Sequence, residues 1–183
     1  MVSGENNNLR NTMESKAKVM GHAAHPILMV FPLGLLSASV LFDITYLITD
    51  SRAFALVSFW TLVGGLLGGL VAAVPGWIDW FAIPSGTRAK QVGLIHGGGN
   101  VVVLILFGIS WLLRRDEVDY LPSVIALGLS FVSFGLAAFT GWLGSELVER
   151  LGVGVHDHAN LNAPNSLSGK SADDALPIRH TVN

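Results

Sequence analysis

AFALVSFWTLVGGLLGGLVAAVPGWI, residues 53–78, runs for 26 positions without one Lys, Arg, Asp or Glu. A hydrocarbon layer about 30 Å thick takes roughly 20 apolar residues of helix to cross, so this stretch spans a membrane with a turn to spare. It is too long for a strand and too uniformly uncharged for the buried helix of a soluble domain. Three further stretches repeat it, at 26–48, 92–113 and 121–145, and among all four the one charged residue is Asp43. The whole chain agrees, with 51% hydrophobic and 13% charged residues and a mean hydropathy of +0.55, outside the range of an ordinary soluble domain. The sequence predicts an all-α integral membrane protein, a four-transmembrane-helix up-down bundle.

The connections at 49–52, 83–90 and 114–120 are short, which forces neighbouring helices to run antiparallel. Three parts follow: a polar tail at 1–20, rich in Asn (Asn6, Asn7, Asn8), a four-helix transmembrane domain at 21–158, and a second polar tail at 159–183. Neither tail shows helical or strand periodicity, and both are expected to be flexible. The opening residues lack a basic region leading into a short apolar core with a small-residue cleavage site, so no cleavable signal peptide is expected.

In an up-down path the start of the first stretch, the end of the second, the start of the third and the end of the fourth share one face. All histidines but His180 fall there: His22, His25, His96, His156 and His158. Asp79 and Glu146, closing the second and fourth stretches, join them. Basic residues set the orientation. Eight of the 11 (Arg10, Lys16, Lys18, Arg88, Lys90, Arg150, Lys170, Arg179) lie on the histidine side, against Arg52, Arg114 and Arg115 opposite, so the positive-inside rule makes the histidine face, with both termini, cytoplasmic. Trp77, Trp80 and Trp142 at that face, and Trp60 and Trp111 toward the other, read as interface anchors.

His96 is the strongest site candidate, because polar groups within membrane helices are costly and tend to be functional. Asn100, four positions on, shares its face. Gly97, Gly98 and Gly99 lower helix propensity and suggest a close approach, by a ligand or by a neighbouring helix. Gly64, Gly65, Gly68 and Gly69 form overlapping small-x-x-x-small pairs and read as helix packing. His25 precedes Pro26, a residue suited to the first position of a helix, and is a better ligand candidate than His22, which is equally readable as a solvated interfacial residue. In an up-down bundle the first and third helices are parallel, and imidazoles on them can meet across its centre. Such a pair suits a haem iron. With His22, Asp79 and Glu146 added, the same face offers a mixed His/carboxylate site for Zn or Fe. At most one haem is expected, because Asp43, about 27 Å along the helix from His25 at the standard rise, has no histidine near it; Asp43 is expected to pair with Arg52 or to hydrate.

Other chemistry is missing. Gly97-Gly98-Gly99 lacks the Lys-Ser/Thr of a phosphate loop, Gly141-Trp142-Leu143-Gly144-Ser145 ends a helix instead of forming a nucleophile elbow, and a net charge of −2 without a basic patch argues against nucleic acid. The absence of cysteine excludes disulfides and thiolate ligands from this chain.

The ordered set Gly21-His22-x-x-His25-Pro26-x-Leu28, Phe31-Pro32-Leu33-Gly34, Pro75-Gly76-Trp77-Ile78-Asp79-Trp80, His96-Gly97-x-Gly99-Asn100-Val101, Gly141-Trp142-Leu143-Gly144-x-Glu146-Leu147-Val148 and Gly152-Val153-Gly154-Val155 resembles the bacterial membrane-protein family catalogued as domain of unknown function 2231, over roughly residues 20–158. The resemblance implies a multi-pass protein of the bacterial inner membrane. It also implies, through relatives joined to Rieske-type or cytochrome c-type domains, a place near electron transfer with a redox partner protein. Positions that carry over are His22, His25, Asp79, His96, Asn100 and Glu146; Val30 stands where many members carry His or Pro. Three readings of different class remain open: a b-type haem-binding subunit with His25, His96 and Asn100 at the cofactor; a non-haem metal site from His22, His25, Asp79, His96 and Glu146; and a structural or interaction subunit with an internal polar network. No catalytic residue is assigned.

Overall fold

The computed structural model describes residues 12–174. Four long helices dominate it: α1 (Ala24–Thr49), α2 (Arg52–Ala82), α3 (Arg88–Leu112) and α4 (Val124–Ser145). All four are long and apolar enough to cross a membrane, as expected. The stops and starts follow local chemistry. Asp50 closes α1 in the left-handed conformation, at φ 54°, which Asp tolerates better than most residues. Thr87 and Ser123 cap α3 and α4 by accepting from the N–H groups of Lys90 and Ala126 at 3.1 and 3.2 Å, the usual work of such residues at a helix start. Pro26 is the third residue of α1, not its first, and still lies in the turn that tolerates proline. α4 continues into a π-helical turn, Glu146–Arg150.

The bundle is two hairpins, α1 with α2 and α3 with α4, each closely packed within itself and more sparsely joined to the other. Glycine makes the close approaches possible. A Cβ on Gly65 would stand 2.6 Å from Leu36, and one on Gly69 would stand 2.6 Å from Leu104, so those glycines are packing residues as their spacing implies. Leu36, Val40, Leu62, Val103 and Phe107 form the apolar core. Outside it, large apolar side chains such as Leu67, Leu70, Val74 and Phe131 are exposed, the inverse of a soluble protein and the surface that lipid covers.

Asp43 is fully buried, and its partner differs from expectation. Arg52 pairs with Asp119 at 2.9 Å. Asp43 is instead held by Arg114, whose Nη1 and Nη2 donate to its two carboxylate oxygens at 2.7 and 2.8 Å. Arg114 lies just past α3, where a loop position is natural, but the turn that follows Trp111 points its long side chain back into the bundle, where it too is fully buried. A lone carboxylate away from water is expensive, and a two-pronged guanidinium meets both of its oxygens at once.

At the histidine end the described part of the N-terminal segment is folded against the bundle, so the compact unit begins before residue 21. Two-residue strands β1 (Lys18–Val19) and β2 (His22–Ala23) pair antiparallel. Met13 exchanges backbone hydrogen bonds with Gly152 and Gly154 at 2.9 and 2.7 Å, and Ser15 is buried. Glu14 ties this strap to the segment after α4. It pairs with Lys18, accepts the N–H of Asp157 at 3.0 Å and faces His156 at 3.2 Å. Lys18, then the Asp157 N–H, hold the Glu14 carboxyl below its ordinary pKa of 4.5. A lowered native pKa means that this contribution is present at neutral pH and disappears as pH falls through and below the ordinary carboxylate range, about 4. The protection of the Asp157 amide, measured as its exchange rate relative to that of an unstructured amide at the same pH, is therefore expected to fall on acidification, and Glu14→Gln to remove that pH dependence; equal profiles in the two proteins would exclude the role.

Candidate functional site

His25, in the first turn of α1, and His96, two turns into α3, stand at one height. Their ring centroids are 6.2 Å apart and their planes cross at 89°. Each ring is tied to the partner helix of its own hairpin. His25 Nδ1 lies 2.7 Å from the carbonyl oxygen of Ala72 in α2, and His96 Nδ1 lies 2.8 Å from that of Thr140 in α4. Four residues beyond each carbonyl stands a glycine, and there is no room for more. A Cβ on Gly76 would come within 2.9 Å of His25 Nδ1, and one on Gly144 within 3.1 Å of His96 Cε1.

These contacts fix the protons. A carbonyl only accepts, so each Nδ1 carries hydrogen and a neutral ring leaves its Nε2 bare. At His96 the bare nitrogen receives the Asn100 amide, Nδ2 to Nε2 at 3.2 Å, and the Thr140 hydroxyl donates to Asn100 Oδ1 at 2.8 Å. Thr140 thus holds both ends of the His96–Asn100 pair. The close approach implied by the glycine triplet is Thr140 itself, whose Cγ2 would meet a Cβ on Gly99 at 2.6 Å.

Between the hairpins lies a cavity of about 490 Å³, bordered by both histidines and Asn100, with Phe107 at its inner end and Val153 and Gly154 at the strap. That volume falls within the range of about 300–1,000 Å³ usual for small-molecule sites. Its walls are mostly apolar, and besides the two rings and Asn100 the carboxylates of Asp79 and Glu149 border it.

The remaining candidates have other partners, although Asp79 also borders the cavity. His22 sits in β2, exposed, with Nε2 3.2 Å from Ser166 Oγ; α1 starts at Ala24, so no helical turn carries His22 onto the face of His25. Asp79 accepts from Ser15 Oγ and from the backbone N–H groups of Lys16 and Ala17, at 2.7, 2.7 and 3.2 Å, and so anchors the strap. Glu146 takes Arg88 Nη2 at 2.6 Å, joining the start of α3 to the end of α4. Among the described residues no three His, Asp or Glu side chains are grouped to hold a metal ion. The common face expected from the sequence therefore divides into one central imidazole pair and two peripheral clasps.

A family model described as "Predicted membrane protein (DUF2231)" matches residues 21–157. The chain belongs to that family. No curated protein and no solved structure matches it. Within this DUF2231 chain, two parts of the site went unseen in the sequence, the Ala72 and Thr140 carbonyl latches. Backbone acceptors leave no residue-type signal, although a glycine four positions after each is a trace of them. At the far end of the same DUF2231 bundle, Trp111 packs against the core, and its Nε1 and the Nε of Arg114 are buried without a protein acceptor.

Proposed function

We propose that this protein is a b-type haem-binding, electron-transferring subunit of the bacterial inner membrane, in which His25 and His96 would hold the haem. One observation carries the reading: two imidazoles from opposite hairpins, 6.2 Å apart with planes crossed at 89°, each anchored through Nδ1 and bordering one apolar cavity. Two imidazoles bordering one apolar cavity are a donor set that would suit a haem iron. When bound, the haem supplies one-electron transfer. The chain's own residues do the rest. Ala72 and Thr140 hold the ring protons on Nδ1, which keeps Nε2 available and raises its basicity. Asn100 keeps the lone pair of His96 engaged until a ligand takes that place. The apolar walls exclude water, and Gly76 and Gly144 let the rings seat.

A redox partner protein follows from this reading, on the face where the histidines lie. The cytoplasmic assignment of that face rests on the basic residues near the helix ends. Arg114, buried in its pair with Asp43, no longer counts among the aqueous charges opposite, which leaves Arg52 and Arg115 there against Lys16, Lys18, Arg88, Lys90 and Arg150.

Haemin titration of detergent-purified protein tests the proposal. Wild type is expected to develop a low-spin Soret band at one haem per chain, and His96→Ala to lose it. A protein that stays colourless overturns the haem reading and leaves the polar network of His96, Asn100 and Thr140 as a structural lock, for which His96→Ala lowers thermal stability and changes no spectrum.

A further inference from the structure

We infer that the chain consists of two copies of one helical hairpin related by a two-fold axis along the bundle, and that Asp43 and Arg114, the same position in the two copies, set the spacing of His25 and His96. Five pairs of positions, His25/His96, Pro32/Val103, Leu36/Phe107, Ser39/Ser110 and Asp43/Arg114, are each separated by 71 residues. Apart from the half-buried histidines, every member of these pairs is buried. Two parallel helices at one height share a burial period once a single pair is aligned, so burial alone does not establish a repeat. Chemical identity does more. Histidine falls on histidine, serine on serine, and the contacts made with the second helix of each hairpin also correspond.

His25 reaches the Ala72 carbonyl with Gly76 four residues on; His96 reaches the Thr140 carbonyl with Gly144 four residues on. At the other end Ser58 Oγ lies 2.6 Å from Asp43 Oδ1, and Ser130 Oγ lies 3.1 Å from Arg114 Nη2. Ser58 and Ser130 are 72 positions apart, whereas Ala72 and Thr140 are 68 apart. The slip is four residues, close to one helical turn, so α2 carries an extra turn between two contacts that otherwise correspond. Both hairpins start and finish at the histidine end, which makes this a parallel repeat with its axis along the membrane normal.

Where these two positions meet inside the bundle, identical residues are forbidden. Two aspartates or two arginines there repel, and the chain places one of each. The pair joins α1 to the turn after α3 on the side of the core opposite the imidazoles, 18 residues beyond the histidine in each hairpin. It therefore fixes the spacing of the same two helices that carry the rings. Asp43 and Arg114 are positioning residues, and their effect on the ligand rests on the haem reading; the duplication does not.

Exchange of the charges tests both parts in the full-length protein. Asp43→Arg and Arg114→Asp alone are expected to lower the thermal transition by 10 °C or more, on the order expected for an unpaired buried charge. Because the serines beside the two positions correspond, the double exchange is expected to recover most of that loss. A double variant as unstable as the worse single overturns the duplication. Ser58→Ala and Ser130→Ala give a second measure, with transition shifts expected to agree within about twofold; a shift confined to one of them counts against equivalence. For the site, Asp43→Asn is expected to convert part of the haemin complex from low-spin to high-spin, and the double exchange to restore the low-spin spectrum. An unchanged low-spin spectrum in Asp43→Asn overturns the positioning role, and a wild type that takes up no haemin refutes the haem reading while leaving the melting comparison to decide the repeat.

Discussion

Replacing Arg114 with Ala is expected to cost about 3–5 kcal/mol of stability, the range seen when one partner of a buried ion pair is removed. The loss comes less from the pair's own attraction than from what is left behind. Asp43 has no exposed surface, and without the guanidinium its neighbour Ser58, at 2.6 Å, offers one hydrogen bond to a group that needs several. Arg115→Ala is the control. Its side chain is half exposed and pairs with Asp116, an arrangement worth about 0–1 kcal/mol at most. Combining Arg114→Ala with Asp43→Ala is expected to recover stability relative to Arg114→Ala alone, because an uncharged cavity is cheaper than an unpaired buried charge. Thermal transitions of the four proteins in one detergent decide it. A double variant less stable than Arg114→Ala would show that the carboxylate has another partner and that the pair is not the unit.

Hydrophobic length and turn chemistry were enough to read the four helices, the short connections and the shared face of the histidines, because a membrane span depends on a sum over some 20 residues and tolerates local ambiguity. The pairing of Asp43 was not readable. Arg52 is closer in sequence and sits at a helix end, while Arg114 looks like a loop residue until the turn after Trp111 is seen to direct it inward. The site was half readable. His96 and Asn100 share a face by helical spacing, and His25 follows from the parallel course of α1 and α3. Asp79 and Glu146 reach the same end of the bundle, but depth does not fix direction: the strap's free N–H groups claim one and Arg88 the other. The strap also escaped notice because its ties are backbone hydrogen bonds, which composition does not encode. The 71-residue spacing between His25 and His96 was present in the sequence, yet it gains meaning only when the buried positions between them are known.

Gly76→Ala is the second change expected to act strongly, and here stability and ligand binding move differently. Alanine in place of glycine favours a helix by about 1 kcal/mol. Against that, the new Cβ would lie 2.9 Å from His25 Nδ1 and 3.0 Å from Cε1, so the ring is expected to shift and its bond to the Ala72 carbonyl to weaken or break. The lost hydrogen bond is worth about 0.5–1.5 kcal/mol, and crowding a packed site adds about 1–3 kcal/mol. The net destabilisation is about 0.5–3.5 kcal/mol. What suffers more is the geometry of Nε2, and with it haemin affinity, which is expected to fall about 10–100-fold, as when a partner that orients a metal-bound histidine is removed. Gly144→Ala is expected to behave alike, since its Cβ would stand 3.1 Å from His96 Cε1. At Gly34 and Gly98 an added Cβ meets nothing within 4 Å, so alanine there is expected to stabilise the helix slightly and leave binding unchanged. Haemin binding by Gly76→Ala equal to that of Gly34→Ala would mean that the Ala72 latch does not set the ring, and that the 6.2 Å spacing owes nothing to the glycine behind it.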